Sequence, residues 1–341
     1  METIRLGRTN IKASRTAFGA LPIQRVTFEQ AKLILRKAYE NGINFFDTAR
    51  AYTDSEEKIG YALSGVRKQI FIATKSHAKD KKELLVHLEE SLRKLKTDYV
   101  DIFQFHNPPA VPSFNDPDGI YQAAFDAKAQ GKIRFIGISF HKLSAAIEAA
   151  ESKKFDTIQF PLSSLSSKED LALVELCRKN DIGFIAMKAL SGGLIMNAAS
   201  TFAFLRQFGN VLPIWGIQCE SELDEFLALE SNPPVLDYAM MKEIDKDREE
   251  LSGSFCRGCG YCQPCSVGIP IELSARMSLF LRRAPYQQFL TDEFKEKMER
   301  IKNCTNCGNC RKNCPYALDI PKILKSNLAD YREFYTALKN K

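Results

Sequence analysis

Four ionisable residues in the first third of the chain stand where chemistry could use them. Asp47 closes the run Phe45-Phe46-Asp47-Thr48-Ala49, and Tyr52 follows shortly after it. Lys75 ends Phe71-Ile72-Ala73-Thr74-Lys75, and His106 ends Phe103-Gln104-Phe105-His106. A phenol has an unperturbed pKa of about 10, too high for easy proton exchange at neutral pH. An ammonium group beside it favours the phenolate and lowers that value, and a carboxylate can hold the ammonium in place. Brought together, Tyr52 becomes a general acid toward a carbonyl oxygen, while His106 orients the same oxygen. Singly, each has a plainer reading: a Lys or Asp ending a strand is usually solvated or capping, and a lone His is usually a satisfied structural residue. Only their convergence would make a site.

The cysteines carry a second chemistry. Of ten, only Cys177 and Cys219 lie outside the stretch from Cys256 to Cys314. The first block is Cys256-x2-Cys259-Gly260-x-Cys262-x2-Cys265, and the second is Cys304-x2-Cys307-Gly308-x-Cys310-x3-Cys314-Pro315. Each continues into a similar tail, Gly268-Ile269-Pro270 and Ala317-Leu318-Asp319-Ile320-Pro321, so the blocks are an internal repeat. Disulfides need an oxidising compartment, for which the chain gives no reason, and metal binding is the better reading. Three thiolates two residues apart can curl around one face of a cubane, and the fourth then points toward the other cluster. Cys256, Cys259, Cys262 and Cys314 are therefore assigned to one [4Fe–4S] cluster, and Cys304, Cys307, Cys310 and Cys265 to the other. Paired C-x2-C motifs also make all-thiolate zinc sites, but two evenly spaced sets of four favour clusters. The second block is similar to the bacterial ferredoxin run; the first departs from it in its last gap and in Ser266, where proline is usual. Helical stretches expected at Glu272–Arg283 and Gln287–Lys302 resemble the helical ferredoxin type. Cys177, on a helix face with Leu173 and Leu176, reads as a small core residue, and Cys219 is left unassigned.

Strand-like β-branched and aromatic runs must position the first set. They are Thr16–Ala20, Ile43–Asp47, Ile70–Thr74, Val100–Phe105, Arg134–Ser139, Thr157–Phe160, Phe184–Met187 and Val211–Trp215. Between them lie segments of helical length, among them Phe28–Asn41, Lys81–Lys96, Gly119–Gln130 and Lys168–Asn180. In the first, Ala31, Ile34, Leu35 and Ala38 follow the i, i+3, i+4, i+7 spacing of one buried stripe. Gly42 and Gly183 stand where helix-terminating glycines are expected. Eight such units predict an α/β chain built as a (β/α)8 TIM barrel, whose strand ends converge on one mouth. An open doubly wound sheet competes, but no G-x-G-x-x-G follows the first strand. The stretch Leu229–Ser254, with Pro233-Pro234 and the charged run Lys242–Glu250, reads as a linker. The boundary is expected near Asp237, giving a barrel over 1–236 and a small, mainly helical ferredoxin-like domain with the clusters over 237–341.

The motifs Asp47-Thr48-Ala49-Arg50-Ala51-Tyr52, Ala73-Thr74-Lys75 and Gln104-Phe105-His106 resemble the catalytic tetrad of the aldo/keto reductases. Leu6-Gly7-Arg8-Thr9 and Ala17-Phe18-Gly19 look like that family's N-terminal hairpin and first strand, so the resemblance covers about residues 1–230. It implies Tyr52 as acid/base, Lys75 lowering its pKa, Asp47 pairing Lys75, His106 orienting the carbonyl, and hydride from a nicotinamide cofactor. It also implies that Ser139 and Gln159 bind the carboxamide, although Phe140 stands where an asparagine often follows the serine and Met187 where an aromatic residue often stacks. Leu190-Ser191-Gly192-Gly193-Leu194 looks like the pyrophosphate loop, in which glycines let backbone N–H groups approach an anion. Gln218 falls where a basic residue would meet a 2′-phosphate, and losing that charge-assisted contact costs ~1.5–3 kcal/mol. NAD and NADP both stay open. A ferredoxin module after such a barrel resembles one branch of the superfamily.

The 341 residues suffice for one large core and a smaller domain, with 45% hydrophobic and 26% charged residues. A net charge of +6 with no block of like charges makes a nucleic-acid partner a poor reading. Met1–Arg8 lacks a signal-peptide core and no apolar run reaches membrane length, so the chain is expected to be cytoplasmic and complete, with no membrane partner. Nicotinamide moves two electrons and a cubane one, so a flavin is a possible intermediary at the barrel mouth. Three functions follow: a carbonyl/alcohol oxidoreductase coupled through the clusters to a redox partner protein; a conventional reductase with structural or redox-sensing clusters; or a non-enzymatic electron-transfer and docking module. All three expect a partly apolar mouth, and the first two a small carbonyl or alcohol substrate.

Overall fold

The computed structural model describes residues 1–251, 255–283 and 286–339. They divide into two compact units: Met1–Ala189 with Ala199–Met241, and Leu190–Ala198 with the chain from Lys242 onward. Among the described residues no helix is long and apolar enough to cross a membrane.

The first unit opens with an antiparallel hairpin, β1 (Thr3–Arg5) and β2 (Lys12–Ser14). Eight parallel strands follow: β3 (Ala17–Gly19), β4 (Phe45–Asp47), β5 (Phe71–Ser76), β6 (Val100–His106), β7 (Ile133–Ser139), β8 (Thr157–Pro161), β9 (Gly183–Met187) and β10 (Val211–Gly216). They close into a barrel in the order β10-β3-β4-β5-β6-β7-β8-β9, as the eight expected runs require. Hairpin residues Ile4, Leu6, Ile11 and Ala13 pack with Ala17, Phe45, Ala73, Ile102, Ile185 and Leu212 in one buried cluster.

The helices follow from local signals. Phe28–Glu40 starts at Thr27, whose side chain accepts from Gln30 N while Gln30 reaches back to Thr27 N, a reciprocal cap typically worth ~1 kcal/mol. Its buried residues are Ala31, Ile34, Leu35 and Ala38, the expected stripe. Cys177 is fully buried on the helix Lys168–Lys179, and burial pushes its thiol up to about 12. Gly42 ends its helix with φ +92°, but Gly183 does not act this way. Asp181 takes the left-handed turn instead, and Gly183 is the first residue of β9. Its missing side chain makes room for the hairpin, because a Cβ there would lie 2.6 Å from Leu6 Cγ.

The second unit is helical, with Ile271–Ser274, Met277–Arg283, Asp292–Glu299, Asn309–Lys312 and the long Ile320–Lys339. The two stretches expected as continuous helices are both interrupted. Thr291 caps a fresh helix by accepting from Phe294 N, which splits the second stretch. The expected linker is also mostly helical, with Glu220–Ser231 running into it and Tyr238–Glu250 burying Ile244 and Asp247. Its residues 252–254 lie outside the described residues. The first unit runs to Met241, and Leu190–Ala198 groups with the chain from Lys242 onward.

Candidate active site

Alternation along the strands builds the site. Residues i and i+2 share a face, so Phe45 and Asp47, Ala73 and Lys75, and Ile102, Gln104 and His106 line up on common faces of β4, β5 and β6. The first of each set lies in the apolar cluster; the later ones are polar and nearer the C-terminal strand ends. Register carries the polar layer sideways: Lys75 pairs with Gln104, His106 with Ser139, and Ser139 with Gln159. Gly137 makes this possible, since a Cβ there would collide with Thr157 Oγ1 and approach Gln104 Cγ to 2.9 Å.

Lys75 Nζ donates to Asp47 Oδ1 at 2.6 Å and to Thr48 O at 2.7 Å, with both ionic side chains almost fully buried. Asp47 also accepts from Gln104 Nε2 at 3.3 Å and Gln159 Nε2 at 3.4 Å. Burial pushes the Asp47 carboxyl up and the Lys75 ammonium down, and each is the other's main counterweight.

The chain after β4 stays zipped to β5 through Thr48 N to Ala73 O and Arg50 N to Lys75 O, then turns back through Tyr52 N to Ala49 O. This holds half-buried Tyr52 over Lys75, whose Nζ is 5.3 Å from the ring centroid. The Tyr52 and His106 rings meet edge to face at 5.9 Å. Against the expectation from the motif, the Tyr52 phenol is pushed above its ordinary value, first by burial and then by the charge of Asp47. The Lys75 ammonium is directed at Asp47 Oδ1 and Thr48 O rather than at the phenolic oxygen.

His106 carries a neighbour that the sequence reading missed. His77 stacks on it with centroids 3.9 Å apart. Burial, then His77, Lys75 and His141, hold His106 well below the usual imidazole range, so it is neutral at pH 7. Buried His141 is pushed down to about 3 by burial and then by Lys188. The missed signal was positional: His77 and His141 follow the ends of β5 and β7, flanking His106 on β6.

The candidate nucleotide residues fall in both units. In the first, Ser139 Oγ accepts from Asn107 N at 3.2 Å and donates to Phe105 O at 3.4 Å. Gln159 and Gln104 each keep a buried Oε1 with no hydrogen-bond partner among the described residues. Gln218 Oε1 accepts from Arg25 Nη1 at 3.3 Å, so a cation absent from position 218 arrives from the loop after β3. In the second unit, Ser191, Gly192 and Gly193 all have positive φ, and the N–H groups of Gly193, Leu194 and Ile195 turn inward to Leu190 O at 2.9–3.2 Å.

The eight cysteines of the two blocks all lie in the second unit. Cys256 lies within electrostatic reach of Cys314, and Cys262 of Cys256 and Cys259. Cys310 likewise feels Cys304 and Cys307. Cys265, Cys304, Cys307 and Cys310 line one solvent-open pocket, also bordered by Cys262. Burial raises the thiols of Cys256 and Cys310, and takes Cys262 up to about 12. Among the described residues no three of these side chains are placed to ligate a single ion, but thiols are the donor type that iron binds as thiolate.

Comparison with known proteins agrees with this architecture. The sequence profile described as the aldo/keto reductase family matches residues 15–203, and a 4Fe-4S dicluster domain profile matches 255–319. Aldo-keto reductase YhdN of Bacillus subtilis is 29% identical over 57% of this chain, which spans 64% of that relative's length. L-galactose dehydrogenase of Arabidopsis thaliana is 30% identical over 56% of this chain and 66% of its own length. Among solved structures, the holo form of an aldo-keto reductase from Bacillus halodurans superposes with a TM-score of 0.63 at 20% identity, covering 72% of this chain and 96% of its own. The aldo/keto reductase of Klebsiella pneumoniae in complex with NADP and acetate gives 0.60 at 22%, over 72% and 94%. These two likenesses speak to the barrel fold alone. With the first profile covering more than half of its length, and a dicluster domain following, this chain belongs to the aldo/keto reductase family.

Proposed function

We propose that this protein interconverts a small carbonyl compound and its alcohol, and exchanges electrons with a redox partner protein through two [4Fe–4S] clusters. The observation that carries the first part is the meeting of Tyr52, Lys75, Asp47 and His106, with the Lys75 ammonium 5.3 Å from the Tyr52 ring and the His106 ring against its edge. Bound nicotinamide, as NADH or NADPH, supplies the hydride. Gln159 and Ser139 hold its carboxamide, which the buried, unsatisfied Oε1 of Gln159 favours. In the first unit Gln218 with Arg25 meets the adenosine end; in the second unit, Leu190, Gly192 and Gly193 form a loop suited to a diphosphate.

The chain's own residues then handle one proton. Tyr52, held protonated by burial, carries it on the phenolic oxygen and delivers it to the substrate oxygen as negative charge develops there. Neutral His106 donates an N–H to the same oxygen, and its stack with His77 fixes the ring plane. Lys75, fixed by Asp47, stabilises the phenolate left behind, and in the alcohol-oxidising direction Tyr52 takes the proton back. Cys256, Cys259, Cys262 and Cys314 hold one cluster, and Cys265, Cys304, Cys307 and Cys310 the other; each bound cluster supplies single-electron transfer.

Tyr52→Phe tests the reading. The variant should retain iron, sulfide and nucleotide binding while carbonyl turnover falls by ~10²–10⁴-fold. Turnover within threefold of the parent protein would end the assignment of Tyr52.

A further inference from the structure

One guanidinium in the second unit joins two loops of different chemistry. Arg276 Nη1 donates to Gly192 O at 2.6 Å, its Nε donates to Glu272 O at 2.8 Å, and its Cζ lies 4.7 Å from the Phe280 ring centroid. Both glycines beside it take positive φ, +70° at Gly192 and +63° at Gly258, and a side chain on either would displace the guanidinium. A Cβ on Gly192 would lie 2.9 Å from Arg276 Nη1, and one on Gly258 would lie 2.7 Å from Arg276 Cζ. Gly258 belongs to the first cysteine turn, Cys256-Arg257-Gly258-Cys259, and its N–H points to Cys256 Sγ at 3.4 Å. The cation thus touches the glycine loop and the first cysteine turn at once.

The glycine loop is short of its own anion donors, because three successive N–H groups already converge on Leu190 O. A diphosphate seated there needs a cation, and Arg276 is at the loop backbone. We propose that Arg276 couples diphosphate binding at Leu190–Leu194 to the redox state of the cluster held by Cys256, Cys259, Cys262 and Cys314. This rests on the loop and cluster assignments of the proposed function. An anion on the loop offsets the positive charge beside Cys256, and the cluster then accepts an electron less readily. Linkage makes the effect reciprocal: adding one electron to the cluster weakens the anion's binding by the same factor.

The test uses the full chain, purified anaerobically with its clusters. The probes are ADP-ribose and 2′-phospho-ADP-ribose, which carry the diphosphate but no nicotinamide. Dithionite supplies the electrons through viologen mediators, and no group is transferred. Calorimetry should find a probe bound roughly tenfold more tightly to the oxidised than to the reduced protein. EPR-monitored titration should find one cluster's midpoint lowered by the equivalent, about 59 mV for one electron, with the other cluster unmoved. In Arg276→Gln both differences should shrink below twofold. Arg276→Lys keeps a cation near Cys256 but cannot keep the same fork on Gly192, and should lose most of the coupling while its clusters load normally. Equal affinity in the two redox states of the parent protein overturns the proposal and leaves the proposed function standing. Full coupling in either variant overturns the role of Arg276. Absence of probe binding alongside normal NAD(P)H-dependent turnover overturns the loop assignment, and with it this coupling. Absence of any nucleotide binding overturns the proposed function itself.

Discussion

Asp47→Asn isolates the charge of Asp47 at nearly constant shape. In the parent protein Asp47 Oδ1 and Lys75 Nζ are 2.6 Å apart, with side chains 3% and 1% exposed. Removing one partner of a buried ion pair costs ~3–5 kcal/mol, because the other charge is left uncompensated in a low dielectric. The asparagine oxygen can still accept from Nζ, which puts the expected loss near the lower bound, ~3 kcal/mol at pH 7. The loss also depends on pH. Burial already lowers the Lys75 ammonium, and without Asp47 its folded value falls further below the unfolded one of about 10.4. The unfolded chain then binds more protons than the folded one, so the variant gains stability as pH rises toward the unfolded value. Lys75→Met added to Asp47→Asn removes the stranded charge and should restore ~1–4 kcal/mol. Trp215 is the assay, as the chain's single tryptophan, buried on β10 between Phe202 and Phe226 at ring distances of 5.7 and 4.5 Å. Urea unfolding followed by its fluorescence reports the barrel. A single variant within 1 kcal/mol of the parent, or a double variant less stable than the single, refutes the reasoning.

Two further variants test packing and ligation. Gly183→Ala places a methyl group against Leu6 and should cost ~1–3 kcal/mol, read by the same fluorescence; a neutral result would show that the hairpin shifts freely. Crossed ligation predicts that Cys265→Ser and Cys304→Ser damage the same cluster. Their double variant should keep about half of the iron and sulfide, whereas Cys265→Ser with Cys259→Ser should lose nearly all. Equal depletion in both doubles would rule out the pairing.

The barrel was legible because β propensity and helical periodicity alternate along the chain. Ala31, Ile34, Leu35 and Ala38 are buried as their spacing requires. The eight strand runs were readable for the same reason, since strands in a closed parallel barrel are apolar on both faces. Boundaries and continuity were less readable. The stretch from Gln287 to Lys302 has helical composition throughout, yet the Thr291 cap interrupts it. Gly183 has the composition of a helix stop, but its role depends on Leu6, which is remote in sequence.

Residue types and spacings by themselves determined the succession of strand runs, the residues available for acid–base chemistry and the two repeated cysteine blocks, because each is a local property of the chain. Tertiary structure alone decided how those groups act on one another. It spent the Lys75 charge on Asp47 and left the Tyr52 phenol raised, stacked His77 on His106, brought Arg25 to Gln218 and set Arg276 against Gly192. Burial and through-space charge set those effects, and both depend on what surrounds a group in three dimensions, which no stretch of neighbouring residues specifies.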